Sequence, residues 1–205
     1  MDTPCSSLPL KHPFPGIAAR SGQAGFSLVE VLIALVILSF GLLGAVGMQV
    51  TALQASKEAR NQATATTFAR ELAERMRGNH SVAIKTTAAD NPYLLNVTLA
   101  PDATIATPAV NCFTGSCAVA KDAATWDAAE WQGRVRDALP SPRVKVCYDE
   151  TPFDASGKPR WDCTNTGDVA VLKMSWTRKN TAGTLEFSSS AVPTVVVPLT
   201  AGSAE

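Results

Sequence analysis

The sequence predicts an α+β fold: one long N-terminal helix whose first half suits a membrane, followed by an antiparallel β-sheet domain toward the C-terminus. Three observations predict it. No charged residue occurs from Val31 to Ser56, a helical pattern continues from there to Arg77, and beyond Arg143 four stretches read as strands. A chain of 205 residues has room for an anchor plus one modest domain with its own core.

Residues 1–25 hold Pro4, Pro9, Pro13 and Pro15, with Lys11 and Arg20 against Asp2. This is an irregular, slightly basic leader of the kind that stays cytoplasmic. Val31 to Val50 alone would span about 30 Å as a helix, the thickness of a bilayer core. Past the apolar run, Ala59, Ala63, Leu72 and Met76 offer an apolar side, and Arg70 with Glu74 and Glu71 with Arg75 stand at i,i+4. Gly78 and Asn79 then supply a stop. A helix from Ser27 to Arg77 is about 75 Å long, so its second half must leave the bilayer and pack on something. Gly41, Gly44 and Gly47 interrupt it. They fit close helix packing in a membrane, and equally a segment able to stretch once the subunit leaves the lipid.

Residues 79–120 are rich in Thr, Ala, Asn and Pro and read as loops, with a short strand near "LLNVTLA". "DAATWDAAEWQGRVRDALP" reads as a short amphipathic helix, with Trp131, Val135 and Ala138 at helical spacing and Pro140 and Pro142 ending it. Its tryptophans are expected in the core. The four strands are 143–149, 169–177, 184–191 and 194–199. In the second, Leu172, Met174 and Trp176 alternate with Lys173, Ser175 and Thr177, the pattern of a half-buried antiparallel strand.

Composition excludes several functions. Lys plus Arg number 18 and Asp plus Glu 18, so no overall field attracts nucleic acid or an anionic surface. There are 2 histidines and no His-x-x-x-His or Cys-x-x-Cys pair, which argues against histidine acid–base chemistry, and no cofactor is implied. Asp149 with Glu150, or Asp162 with Asp168, would be carboxylate pairs, but they fall in turn-like stretches and read as solvated. Of 5 cysteines, Cys5 belongs to the leader; Cys112, Cys117, Cys147 and Cys163 remain. Their spacing lacks a zinc knuckle, and an oxidising compartment favours local disulfides Cys112–Cys117 and Cys147–Cys163, two of three formal connectivities being left aside rather than excluded.

Glu30 is the unusual residue, an acid at the head of an apolar run and five residues after Gly25. Cleavage as an ordinary secretory signal at "LQAS", after Ala55, is opposed by the length of the run and by an acid where positive charge belongs. A plain helix-dipole preference explains Glu30 but not Gly25 and Phe26. Gly25, Phe26, Ser27, Leu28, Val29 and Glu30, followed by "VLIALVILSFGLLG", resemble the prepilin signal of type IV pilins and secretion pseudopilins. The resemblance implies a pilin-like fold. It also implies cleavage after Gly25 by a membrane peptidase, methylation of the Phe26 amine, and pairing of Glu30 with a neighbouring subunit's N-terminus. "ELAERMRGN", "NCFTGSC", Trp126 and Trp131 before "ALP", "VCYDE" and "RWDCT" are similar, in their order, to minor pilins of the PilV kind.

On this reading residues 1–25 are a removed leader, 26–77 the long helix with its apolar half 26–50 in the membrane or filament core, and 78–205 a periplasmic or extracellular head. The implied role is a structural, non-enzymatic subunit that primes a pilus or sits at its tip. Its implied partners are other pilins, the prepilin peptidase, the inner-membrane assembly platform and a tip adhesin. A type II secretion pseudopilin, and an exported enzyme or binding protein on an ordinary anchor, are the rival readings.

Processing between Gly25 and Phe26 should leave a methylated phenylalanine as the mature N-terminus in mass spectrometry. Gly25→Leu should leave full-length precursor in the membrane, whereas a mature start near Ser56 would point to the exported-protein reading.

Overall fold

The computed structural model describes residues 25–179, 185–186 and 192–200. The leader up to residue 24 lies outside them, as does most of the 184–191 strand expected from the sequence. Helix α1 runs Leu28–Gly78, continuous through the glycines. A single turn α2 (His80–Ala83) follows, then strand β1 (Asn96–Thr98), helix α3 (Ala120–Ala138), and strands β2 (Arg143–Tyr148), β3 (Ala170–Ser175), β4 (Arg178–Lys179), β5 (Leu185–Glu186) and β6 (Val195–Leu199). Long apolar helix followed by an antiparallel sheet is therefore the observed α+β, pilin-like architecture.

The sheet has the order β1-β2-β3-β6, every pair antiparallel, and β4 pairs with β5 alone. Opposite residues share a face, so the register Val144↔Met174, Val146↔Leu172 and Tyr148↔Ala170 puts one apolar set on the inner side. There it joins Ala65, Ala69, Leu72 and Met76 of α1 and Ala124, Ala128, Trp131 and Val135 of α3 in one core. The α1 positions step by four, three and four, the seam of a helix packed along one side. Ala59 and Ala63 lie off that seam and are exposed, contrary to the sequence expectation, which joined them to Leu72 and Met76 across a change of phase.

Helix α3 runs antiparallel to α1. Trp131 is fully buried, its indole N–H donates to the Phe68 carbonyl at 3.0 Å, and its ring meets Phe68 edge-on with centroids 6.2 Å apart. Trp126, also expected in the core, is only half-buried. Arg75 donates to Glu71 of its own helix at 3.0 Å and to Asp127 and Glu130 of α3 at 3.1 and 2.5 Å. Arg134 pairs with Glu71 in return and with Glu130 at 3.0 Å. Glu74 pairs with Arg77 rather than with Arg70. The Tyr93 hydroxyl donates to Asp127 at 3.1 Å; burial, then the charge of Asp127 and this hydrogen bond, push its ionisation far above the usual value.

The segment after α2 is held by one buried amide. Asn91 donates to the carbonyls of Ala83 and Lys85 at 2.9 and 2.8 Å and accepts from the Tyr93 N–H at 3.1 Å. The final carbonyl of α2, that of Ala83, and the Lys85 carbonyl just beyond it thereby find a donor.

The alternation in β3 does not mean half-burial. All six of its residues are buried, including Lys173 and Ser175 at 0 % exposure. The reason is that the Asp149–Val169 connection lies over the outer face, and the sequence pattern alone carries no sign of that second layer.

Trp131→Ala should cost the head about 3–5 kcal/mol, the range for deleting a buried tryptophan, read as a lower denaturation midpoint of the detergent-solubilised chain by circular dichroism. Trp126→Ala should cost clearly less.

Candidate assembly site

Helix α1 begins on the carbonyl of Ser27, which accepts from the N–H groups of Glu30 at 3.0 Å and Val31 at 3.2 Å. Glu30 therefore sits in the first turn, where unpaired N–H groups favour a carboxylate. Phe26 is 80 % exposed. With Glu30, Val31, Ala34, Leu35 and Leu38 it lines a notch of about 400 Å³ whose only acidic group is Glu30. Among the described residues the Glu30 carboxylate has no hydrogen-bond or ion-pair partner. The site is a negative charge on an apolar wall, beside the residue expected to become the N-terminus.

The wall continues down the helix. Leu28, Phe40, Leu43 and Met48 are each at least 70 % exposed, and an 18-residue window within α1 reaches a mean hydropathy of 2.6 with none of it buried. This is the one described helix long and apolar enough to cross a membrane. A Cβ added at Gly25, Gly41, Gly44 or Gly47 would meet nothing within 4 Å, so among the described residues these glycines make room for no other segment.

In the head the cysteines form two separate bridges. Cys112 and Cys117 are joined with Cα atoms 5.2 Å apart, and Cys147 and Cys163 with Cα atoms 6.4 Å apart. Asp149 lies beside both sulfurs of the second bridge, but sulfurs bonded to each other are not thiolates and do not serve as metal ligands in that state.

Sequence reasoning missed what the second bridge encloses. Lys173 and Asp149, both side chains at 0 % exposure, pair at 2.5 Å, and the ammonium donates also to the Asp162 carbonyl at 2.6 Å. Asp149 accepts in addition from the N–H of Thr151 at 3.1 Å, the N–H of Thr164 at 3.3 Å and the Thr164 hydroxyl at 3.2 Å. Asp149 is thus not solvated as expected, although Glu150, Asp162 and Asp168 are exposed. Burial alone would push its carboxyl up; the hydrogen bonds from Lys173, Thr164 and Thr151 reverse this and hold it below the usual range. Outside the pair, the Arg143 guanidinium lies 4.1 Å from the Trp161 ring centre. Gly167 closes the connection at φ +92°, where any Cβ would come within 2.5 Å of Glu150. In the folded sheet Lys173 stands directly across from Lys145, like charges face to face that favour a counter-charge above them; the sequence alone does not show that register.

Residues 20–46 match the family model described as the prokaryotic N-terminal methylation motif, and residues 47–129 match the one described as type IV pilin Tt1218. No curated protein and no solved structure matches the chain.

Lys173→Met should destabilise the head by about 3–5 kcal/mol, because it strands a buried carboxylate, while the double change Lys173→Met with Asp149→Leu should recover most of that loss. The folded-state pKa of Asp149 is lowered, so its contribution is present above its unfolded value of about 4 and is lost as pH falls through the lower folded value. Acid titration of denaturation midpoints should therefore show a steeper fall below about pH 4 in the native chain than in the double variant.

Proposed function

Because the chain belongs to the type IV pilin family, as a pilin or pseudopilin subunit, we propose that it acts as a minor pilin that primes pilus assembly or occupies the pilus tip. The observation that carries this reading is an apolar helix surface left exposed among the described residues, with Glu30 as its one acid at the start. Before assembly that surface suits lipid. The subunit would sit in the inner membrane with its N-terminus cytoplasmic and its head periplasmic. After assembly the same surface would bury against the helices of other pilins, extracted through the assembly platform and presenting the head to a tip adhesin or the medium.

Prepilin peptidase would cut after Gly25 and the amine of Phe26 would be methylated. Its charge then stands in an apolar surrounding, where a neighbour's Glu30 carboxylate is worth far more than in water. A head with two disulfide-clasped loops favours the pilus over the secretion pseudopilus, which shares the N-terminal features. The same family membership supports a structural role.

Glu30→Ala should leave insertion and cleavage largely intact while depleting the subunit from sheared pili, since the apolar run drives insertion and only docking needs the carboxylate. Losing one member of a buried pair costs about 3–5 kcal/mol, a fall of two orders of magnitude or more in the docking equilibrium. Immunoblots of sheared and membrane fractions read the outcome. Wild-type levels of Glu30→Ala in pili would leave Glu30 as a helix-start preference only.

A further inference from the structure

Strand β1 begins only at Asn96, opposite Lys145, while β2 runs on to Tyr148. Where β2 loses that neighbour the head has a pocket of about 300 Å³. Leu94 and Leu95, both half-buried, form an apolar side of it. Lys145 is the one charged residue that lines it, and Thr86, Asn96 and Asn165 bring polar side chains to the same space.

Among the described residues the half-buried Lys145 ammonium has no hydrogen-bond or ion-pair partner. Lys173, its neighbour across the β2–β3 pair, holds Asp149 at 2.5 Å, so that carboxylate does not serve Lys145. On its other side stands Asn96. The Val146 N–H donates to the Leu95 carbonyl at 2.8 Å, which makes Lys145 and Asn96 a non-hydrogen-bonded pair, the kind whose side chains approach most closely. The ammonium and the Asn96 amide are therefore placed to converge on one guest. Asn165 enters from the β2–β3 connection with φ +55°, a backbone state asparagine tolerates. Its N–H donates to the Tyr148 carbonyl at 3.0 Å, and the Cys147–Cys163 bridge pins the connection two residues before it. The frame of the pocket is thus fixed on both sides of Lys145.

We propose that this pocket binds a carboxylate carried on a short aliphatic body. The two oxygens of the carboxylate accept from the Lys145 ammonium and from the amide N–H groups of Asn96 and Asn165, and the aliphatic part covers Leu94 and Leu95. Charge sets the class of anion. One ammonium balances one carboxylate, whereas a phosphate dianion would leave a surplus charge against leucine, where it is poorly solvated. The volume lies at the lower end for small-molecule sites, which suits a single acid rather than a polymer. A free aliphatic acid and the last residue of a peptide chain both present this end group.

The test uses the full-length protein in detergent micelles with isotope-labelled leucine methyl groups, read by NMR. Isovalerate should shift the Leu94 and Leu95 methyl resonances saturably, and isovaleramide, alike in shape but uncharged, should bind about tenfold more weakly or worse, the worth of a charge-assisted hydrogen bond. N-acetyl-leucine stands for the end of a peptide; whichever of the two acids binds tighter names the source. Lys145→Gln should weaken isovalerate by about tenfold and Lys145→Arg should keep most of the affinity, with the denaturation midpoint unchanged in both. Asn165→Ala, which leaves the charge in place, should weaken it less than Lys145→Gln. Equal binding of isovalerate and isovaleramide would overturn the proposal. So would unchanged affinity in Lys145→Gln, tighter binding of inorganic phosphate than of either acid, or the lack of a saturable shift from both acids.

Discussion

From Leu28 to Leu53, helix α1 presents leucine, isoleucine, valine and phenylalanine around its whole circumference, and all of these side chains remain exposed. Each large one left in water forfeits about 1.5–3 kcal/mol relative to burial, so the segment is stable only where something outside the chain replaces water. A helix is the one open-ended form that survives there, since it satisfies its own backbone groups in lipid. Everything distinctive about the N-terminal half follows from this. The segment needs no pattern of faces while its neighbours are lipid, and it acquires one only through the single acid at its start and whatever helices later surround it.

The head solves the opposite problem. Its seam on α1 is built largely from small residues, Ala65, Ala69 and Ala73, with Leu72 and Met76, which lets α3 and the sheet approach closely but contributes little apolar area per residue. Additional ties run beside the core. Arg75 and Arg134 interleave with three carboxylates from two helices, and Trp176 and Arg178 both reach Glu58 of α1, at 3.1 and 2.6 Å. These surface pairs are individually weak but share partners, so no arginine is ordered for one contact alone. The buried Lys173–Asp149 pair belongs to a different class. Two buried charges gain little net energy over an apolar filling; what they contribute here is position, because the ammonium satisfies Asp149 and the Asp162 carbonyl only when the long β2–β3 connection is folded back over β3.

Much of this was legible in the sequence, for reasons that differ by element. The N-terminal motif and the charge-free run are one-dimensional signals: spacing along the chain is the property that matters, and no tertiary contact is required to read them. Helix α3 and strands β2, β3 and β6 carried period and stop signals of their own. The seam of α1 was read one phase off, since alanine is too weakly apolar for Ala59 and Ala63 to be told from Ala65 and Ala69 without knowing what faces them. Asp149 and Lys173 were misread for a deeper reason. Alternation reports whether one face of a strand is apolar, but a polar residue beneath a folded-back loop looks the same in sequence as one facing water.

The proposed pairing of Glu30 with a neighbour's N-terminus also bears on how an otherwise featureless helix finds its register. An apolar surface attracts another at many offsets with similar energy, because dispersion and water exclusion are not directional. A carboxylate and an ammonium at the same end of every chain change that. Sliding by one turn, about 5.4 Å, separates the two charges and leaves each uncompensated among apolar neighbours, so the offset that joins them stands apart from the rest. The comparison with coiled coils is direct, where one buried polar position fixes register at some cost in stability. Glu30 at the very start of α1 suits this task better than an acid deeper in the run, since near the interface it weighs less against residence in the bilayer before assembly.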